Sequence, residues 1–419
     1  MHNTKHFPAV EDIQSASGVL EEILEPTPLQ KNPNLSDLYD AQVFLKREDL
    51  QMVRSYKIRG AYNKIRSIAP ATLKYGIVCA SAGNHAQGVA FSCNKLQIMG
   101  SIYMPVTTPR QKIEQVRMFG KEYIDIVLVG DTFDAANAAA IEYAKKSGKT
   151  FIPPFDDQKI IAGQGTIGYE ILSQVKQAPD YVFVPIGGGG LASGVGAYIK
   201  TLSPKTKVIG VEPAGAPCMK VAIEKGEVIE LDHINKFVDG AAVKKAGKLT
   251  YEICKDVLDD IVTVPEGAVC TSIINLYNKS AIVVEPAGAL SIAALKFYKE
   301  EIKGKNVVCI VSGSNNDITR MEEIREKSLI YEGLKHYFIV NFPQKSGAIL
   351  SFIRDIIGPT DDLVYIQYIK KTNKEEGPAL IGIEVASQED FKALMRRMDA
   401  HNVNYEYINE NDKLFEILI

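Results

Sequence analysis

Four short stretches of the sequence combine residue types that could do chemistry. VRSYKIRGAYNKI (53–65) sets Lys57 between Tyr56 and Ile58 at the start of a helical run, with Gly60, Ala61 and Ile65 favouring close packing behind it. Such a lysine is either a solvated cation with a buried stem, the usual condition, or an amine used as nucleophile and base. VFVPIGGGGLASGVGAY puts Gly187, Gly188, Gly189, Gly190 and then Leu191 between an apolar strand and a helix. A short crossover does not need four glycines, whereas a phosphate does: they let backbone N–H groups and a helix N-terminus close on it. CASAGNHAQGVAF carries Ser81, Ala82, Gly83, Asn84 and His85 where a strand turns into a helix. N–H groups and a hydroxyl converge there in a way that suits a small carboxylate. The plain alternative is an N-cap by Ser81 or Asn84, and the His85 ring reads as structural rather than as an acid or base. IVSGSNND holds Ser312 in a third such turn, as a cap or as a hydroxyl aimed at a ring nitrogen.

The glycine loop by itself has a rival reading. Gly187, Gly189 and Ala192 satisfy GxGxx[G/A], and Glu212 ends the next strand, KVIGVE, about where a ribose-binding acid is expected. An NAD-dependent oxidoreductase is therefore a proper alternative, although it leaves Lys57, SAGNH and VSGSN without a purpose. No GxxxxGK[S/T] occurs, so a P-loop is excluded. An amine, a phosphate cup, a carboxylate nest and a ring partner together suit one small phosphorylated ring cofactor. Pyridoxal phosphate has those needs: a lysine for its aldehyde, a glycine loop for its phosphate, and polar partners for its ring nitrogen and hydroxyl.

These turns need elements to hold them. From residue 40 to 313 the chain alternates short apolar runs with longer helical ones. The runs AQVFLKRED, GIVCASAG, MGSIYMPV, YIDIVLVG, YVFVPIGG, KVIGVEP, DDIVTVPEG and NVVCIVSG read as strands. Near-continuous apolar strands between helices predict parallel sheets covered on both faces, with ligands beyond the strands' carboxyl ends, where the three turns fall. After the charged, helical DITRMEEIREKSLIYEGLK, the chain from Lys335 reads as a βαββαβ unit: HYFIVNF, SGAILSFIRDII, LVYIQYI, ALIGIEV, SQEDFKALMRRMDAHN and YEYIN. A length of 419 residues exceeds one ordinary core. The net charge of −3 gives no reason to expect nucleic acid or a membrane surface as partner. No stretch is apolar and long enough to span a bilayer, and the N-terminus has no apolar signal core. Six scattered cysteines without CxxC pairs suit reduced thiols in the cytoplasm, and six scattered histidines lack HExxH spacing.

EDLQMVRSYKIRGA resembles the lysine signature of the fold-type II pyridoxal-phosphate serine/threonine dehydratases. SAGNHAQG, GQGT (163–166), GGGGLASG, EPAGA (285–289) and VSGSN resemble that family's motifs in the family's order, over about residues 15–325. The resemblance implies an α/β catalytic domain over 1–325 with two doubly wound parallel-sheet subdomains, the smaller one, roughly 52–155, inserted in the larger. It implies that Lys57 carries the cofactor, Asn84 bonds its phenolic oxygen, Gly187 to Leu191 hold its phosphate and Ser312 faces its pyridine nitrogen. Ser81, Ala82, Gly83, Asn84 and His85 would take the substrate carboxylate, and Glu285 would lie near the ring. After a linker at 326–334, residues 335–419 resemble the α+β, ferredoxin-like (ACT-like) regulatory domain of the family's biosynthetic members. In FPQKSGAILSF, Ser346 stands where proline is common.

The activity implied is deamination of L-threonine to 2-oxobutanoate and ammonia by β-elimination of water, a step toward isoleucine. L-serine would be a poorer substrate, since one methyl group is worth only about 1–3 kcal/mol to a pocket. Isoleucine would inhibit and valine oppose it through the C-terminal domain of a cytoplasmic homotetramer. A serine rather than a carboxylate at the ring nitrogen stabilises a pyridinium less, which favours loss of a β-leaving group over transamination. Lys57 should be partly desolvated, because both of its roles need a neutral amine. Some relatives bind a divalent cation near EPAGAPC, which here offers Glu212, the Ala216 carbonyl and Cys218. A hard cation wants oxygen where Cys218 stands, so no metal is expected. Alternatives are a catabolic dehydratase or serine racemase, a C-terminal module that only dimerises, the NAD-dependent oxidoreductase, and a catalytically inert amino-acid sensor.

Overall fold

A computed structural model describes residues 8–369, 375–411 and 415. The chain divides into two compact units that meet between Ile318 and Thr319.

In the first unit, runs such as IVCA (77–80) and YVFVP (181–185) are buried along their whole length, so helices must cover both faces of their sheets. The larger sheet orders its strands Leu29–Lys31, Gln42–Arg47, Asn306–Val311, Tyr181–Pro185, Lys207–Pro213 and Asp260–Val264. All neighbours are parallel except the first pair. The smaller sheet orders Ile124–Leu128, Gly100–Met104, Ile77–Ala80 and Thr150–Phe151, all parallel. Leu29–Lys31 and Thr150–Phe151 escape sequence reading because three and two residues show no periodicity. Val195 and Ile199, from the helix Gly190–Leu202, pack with Val182, Val184, Val208 and Ile310 in the larger core. The helix Lys57–Arg66 gives Ala61 and Ile65 to the smaller core, against Ala86, Val89 and Ile102. The turns holding Ser81 to Asn84, Gly187 to Leu191 and Ser312 follow the C-terminal ends of the strands Ile77–Ala80, Tyr181–Pro185 and Asn306–Val311.

One part of the core is charged. Lys46 and Glu48 are fully buried, and Arg59 and Glu170 nearly so. Arg59 reaches Glu48 through Nε and Nη2, both at 2.8 Å, and Glu170 through Nη1 at 2.6 Å. Lys46 Nζ meets Glu170 at 2.5 Å. Two cations and two anions balance, so the desolvation each suffers is met by a partner. The quartet joins the strand Gln42–Arg47, the helix Gln158–Gln174 and the helix that begins at Lys57.

The second unit is an antiparallel sheet ordered Asp362–Tyr368, Glu376–Glu384, Lys335–Pro343 and Tyr405–Tyr407. Alternation along Lys335–Pro343 turns Phe338, Val340 and Phe342 toward Phe352 and Ile356 of the helix Ala348–Ile356 and Leu394 and Met398 of the helix Gln388–Ala400. This is the ferredoxin-like arrangement expected. The helix Met321–Tyr331 belongs to the same unit: Glu326 accepts from Lys335 Nζ at 2.5 Å and from the Tyr337 hydroxyl at 2.6 Å. Arg325 meets Glu384 at 2.6 Å. Among the described residues no helix is long and apolar enough to cross a membrane.

Candidate active site

Lys57 is the first residue of its helix, and the segment before it is zipped to the turn that holds Ser312. Ser55 pairs with Gly313, Tyr56 N–H donates to the Ser312 carbonyl at 3.1 Å, and Ser314 N–H donates to the Arg54 carbonyl at 2.9 Å. Arg54 sits at φ 58°, a left-handed conformation that a side chain adopts at some cost and that turns the chain into this pairing. Lys57 is partly buried, and its Nζ donates to the Pro154 carbonyl at 2.9 Å. Burial lowers its pKa from 10.5 to about 8, although the charge of Glu285 works the other way. A substantial fraction of the amine is thus neutral near physiological pH.

Asn84 opens the helix Asn84–Leu96 and stands between two partners. Its Nδ2 donates to Glu285 Oε1 at 2.6 Å, and its Oδ1 accepts from Asn315 Nδ2 at 2.6 Å. Glu285 is 4% exposed, and burial first, then the charge of Asp239, lift its pKa to about 7. Asp239 is itself paired with Lys112 at 2.6 Å. Ser312 is buried, with its Oγ donating to the Ala287 carbonyl at 3.2 Å.

Gly187 to Leu191 run from the strand Tyr181–Pro185 into the helix Gly190–Leu202, and Gly189 takes φ 94° to make the turn. The loop admits no side chain: a Cβ on Gly188 would stand 2.3 Å from the Phe155 ring, and one on Gly190 would stand 2.6 Å from Gln164 Oε1. Thr250 Oγ1 donates to the Gly188 carbonyl at 2.6 Å from the next layer out. Asp156 fixes that layer by accepting the N–H groups of Lys248, Leu249 and Thr250 at 3.0 to 3.1 Å. Residues 154–156 thus connect the amine of Lys57 to the glycine loop.

Ser81 to Asn84 lie at the end of the strand Ile77–Ala80, with Gly83 N–H donating to Ser81 Oγ at 3.2 Å. The first turn of the helix Asn84–Leu96 aims its N–H groups at the same place. The His85 side chain does not take part: it is 3% exposed, its Nε2 meets the Ile152 carbonyl at 3.0 Å, and burial followed by the charge of Lys57 lowers its pKa to about 3. Only the backbone N–H of His85 is left for a ligand.

Glu212, the acid a dinucleotide would need for its ribose, is spent elsewhere. Its two oxygens accept the N–H groups of Met219 and Lys220 at 2.7 and 2.8 Å, and burial lifts its pKa to about 7. Cys218 directs its thiol to the Gly187 carbonyl at 3.5 Å. Among the described residues no cluster of His, Cys, Asp and Glu is arranged to hold a metal ion.

The cradle fits pyridoxal phosphate. The amide of Gln164, 1% exposed beneath Gly190, and the hydroxyl of Ser55 have no hydrogen-bond partner within the protein. Buried polar atoms are ordinarily paired, so these atoms mark a site made for a polar guest. Sequence reading missed Phe155, Asn315 and the loop 237–243, whose Ala241 would meet a Cβ on Gly187 at 3.1 Å. A run of small residues, DGAAV (239–243), inside an irregular stretch was the available signal.

Comparison with known proteins follows the same division. Residues 20–313 match the family described as pyridoxal-phosphate dependent enzyme, and residues 326–418 the C-terminal regulatory domain of threonine dehydratase. The chain is 59% identical over 410 residues to the L-threonine dehydratase biosynthetic IlvA of Halalkalibacterium halodurans, covering 98% of this chain and 99% of that one. It is 54% identical to the Bacillus subtilis protein of the same name, covering 98% and 97%. Among solved structures, threonine deaminase isoform 2 from Solanum lycopersicum superposes with a TM-score of 0.73 at 40% identity, covering 76% and 87% of the two chains. Maize serine racemase superposes with a TM-score of 0.72 at 28% identity, covering 78% and 100%.

Proposed function

Because the chain belongs to the pyridoxal-phosphate-dependent enzymes and ends in the regulatory domain of threonine dehydratase, we propose that it deaminates L-threonine to 2-oxobutanoate and ammonia by β-elimination of water, in the biosynthetic route to isoleucine. The observation that carries this reading is Lys57 at the start of its helix, with Tyr56 before it tied to the Ser312 turn and its Nζ held on the Pro154 carbonyl next to Phe155, which packs on the glycine loop.

Pyridoxal phosphate, when bound, supplies an electron-withdrawing ring that acidifies the Cα–H bond of an attached amino acid. Gly187 to Leu191 and the helix N-terminus they form would hold its phosphate. Asn84 would donate to its phenolic oxygen, and the Ser312 hydroxyl would face its ring nitrogen. Ser81 and the N–H groups of 82–85 would hold the threonine carboxylate, which fixes Cα relative to Lys57. Lys57 Nζ, neutral, would take the Cα proton; the β-carbon–oxygen bond would then break, and the hydroxyl would leave as water with a proton equivalent to the one Lys57 removed, which returns the amine to its neutral form. Hydrolysis of the remaining carbon–nitrogen bond gives the 2-oxo acid and ammonia. Ser312 carries no charge, so it stabilises a protonated ring nitrogen less than a carboxylate would and favours elimination over transamination.

The second unit would bind isoleucine as inhibitor, with valine opposing it. The enzyme would work in the cytoplasm as a homotetramer; six buried, free cysteines support a reducing compartment. Serine racemase is the second reading, favoured by the likeness to the maize enzyme. One set of assays tests the activity and its inhibition: 2-oxo acid release from L-threonine and L-serine and D-serine release from L-serine, each with and without isoleucine, for the wild type and Lys57→Ala. Threonine turnover that isoleucine suppresses and Lys57→Ala abolishes is the expected result. Release of D-serine without 2-oxobutanoate would replace the reading with the racemase.

A further inference from the structure

Asn84 carries a symmetric-looking side chain in a place where its two ends are not interchangeable. An amide has a donor end and an acceptor end, and rotation by half a turn swaps them. The polarity of this amide is set by a chain of hydrogen bonds that begins at a backbone carbonyl. Val53 O can only accept, and Asn315 Nδ2 donates to it at 2.9 Å. The same Nδ2 donates to Asn84 Oδ1 at 2.6 Å, which uses both of its hydrogens. Asn84 must therefore present oxygen to Asn315 and nitrogen to Glu285, whose Oε1 accepts at 2.6 Å. The backbone N–H of Asn315 bonds Glu285 as well, which closes the triangle. If Asn84 turned over, two N–H groups would face each other at Asn315, and two oxygens would face each other at Glu285 whenever that carboxyl is ionised. Each conflict leaves a buried polar group unpaired.

We propose that Asn315 and Glu285 are positioning residues that lock the amide of Asn84 with its N–H edge presented to the cofactor. This rests on the reading of Asn84 as the partner of the cofactor's phenolic oxygen. Asn84 Nδ2 has two hydrogens, of which Glu285 takes one, so a single N–H remains for that oxygen. A turned amide would offer it a lone pair instead, and an oxygen facing a phenolate repels it. Neither Asn315 nor Glu285 needs to touch the cofactor for this to hold. Asn315 closes the VSGSN turn after the strand Asn306–Val311, a stretch in which sequence reading singled out Ser312 and gave this amide no role.

The test uses the full-length holoenzyme with Asn84→Ala, Asn315→Asp, Asn315→Ala, Glu285→Gln and Glu285→Ala, and the double variant Asn84→Ala/Asn315→Asp. Five quantities are measured: the pH midpoint of the bound cofactor's visible absorption band, the cofactor retained after dialysis, kcat and KM for threonine, and Tm. Asn315→Asp, which cannot donate to Asn84 when ionised, should shift the midpoint in the same direction as Asn84→Ala. It should lower kcat about tenfold, the worth of one hydrogen bond to a charged group, with KM moving by no more than about twofold. The double variant should lose no more than Asn84→Ala alone. Glu285→Gln, whose carbonyl oxygen still accepts, should keep most of what Glu285→Ala loses. Asn315→Ala repeats the test without adding a charge, should Asn315→Asp fail to fold. If Asn84→Ala shifts the midpoint and both Asn315 variants leave it unmoved, the lock is wrong while the assignment of Asn84 stands. Additive losses in the double variant, accompanied only by a lower Tm, reduce Asn315 to a structural role and overturn the proposal. If Asn84→Ala itself leaves the band unmoved, the cofactor assignment falls and the lock falls with it.

Discussion

Gly88 lies against the peptide that joins Lys57 to Ile58: a Cβ there would stand 3.1 Å from the Ile58 nitrogen and 3.2 Å from the Lys57 carbonyl carbon. The helix that carries Asn84 and the helix that carries Lys57 therefore meet backbone to backbone. Gly88→Ala forces them apart by a few tenths of an ångström. Helix propensity favours alanine by about 1 kcal/mol, which offsets much of the repulsion, so Tm should hardly change. Activity should fall all the same, on the order of tenfold in kcat, because the amine and the amide no longer face one target. Steady-state kinetics beside a thermal melt separates the two effects; an unchanged kcat would show that the contact sets nothing at the amine.

The amine of Lys57 can take up the cofactor only when it has lost its proton. With its pKa brought down to about 8 by burial, the rate of cofactor reloading should climb with pH and level off above about 8. An ordinary lysine would still be climbing at pH 10. Stopped-flow recovery of the visible band after stripping the cofactor measures this. A rate that rises without levelling to pH 10 would show that the site does not desolvate Lys57.

Glu285 should make the cofactor-free enzyme less stable as pH rises from about 4.5 to about 7. Its pKa is about 7 in the folded protein and 4.5 in the reference state, so between those values the folded chain holds a proton that the unfolded chain has lost. Stability from this group is complete below 4.5 and is lost as pH passes through 7. Glu212 adds a decline of the same sign. Glu285→Gln should therefore flatten, without abolishing, the fall of Tm across that window; identical slopes in the two proteins would rule out the assignment.

Glu170 answers two buried cations, Lys46 at 2.5 Å and Arg59 at 2.6 Å. Glu170→Gln leaves them with Glu48 alone, and an uncompensated buried charge costs about 3–5 kcal/mol. Denaturant unfolding should show a loss of that size. Adding Lys46→Met should recover part of it, since Arg59 and Glu48 then balance. If the double variant is no more stable than Glu170→Gln, the charges are not coupled as the distances indicate.

Much of the catalytic unit is legible in the sequence because its signals are local. Each apolar run ends in a glycine- or serine-rich turn, and a parallel strand followed by such a turn places the turn at the C-terminal edge of its sheet. Asn84 and Ser312 lie far apart in the chain and come together for that reason, while Lys57 and Glu285 are drawn to them by backbone bonds to the Ser312 turn and by the Asn84 amide. What escaped reading depends on partners with no periodic signature. Lys46, Glu48, Arg59 and Glu170 carry charge, which ordinarily predicts a solvated surface; their burial is possible only because the fold supplies each with its opposite. Asn315 looks like one more polar turn residue until Val53 and Asn84 give its amide a direction. Phe155 and Ala241 are set against the glycine loop by tertiary packing alone.

Glu326 has a consequence inside the C-terminal unit. One carboxylate takes both Lys335 Nζ and the Tyr337 hydroxyl, from side chains two residues apart on one strand, so the helix Met321–Tyr331 can neither slide along that strand nor lift from it without stranding an ammonium and a phenol together.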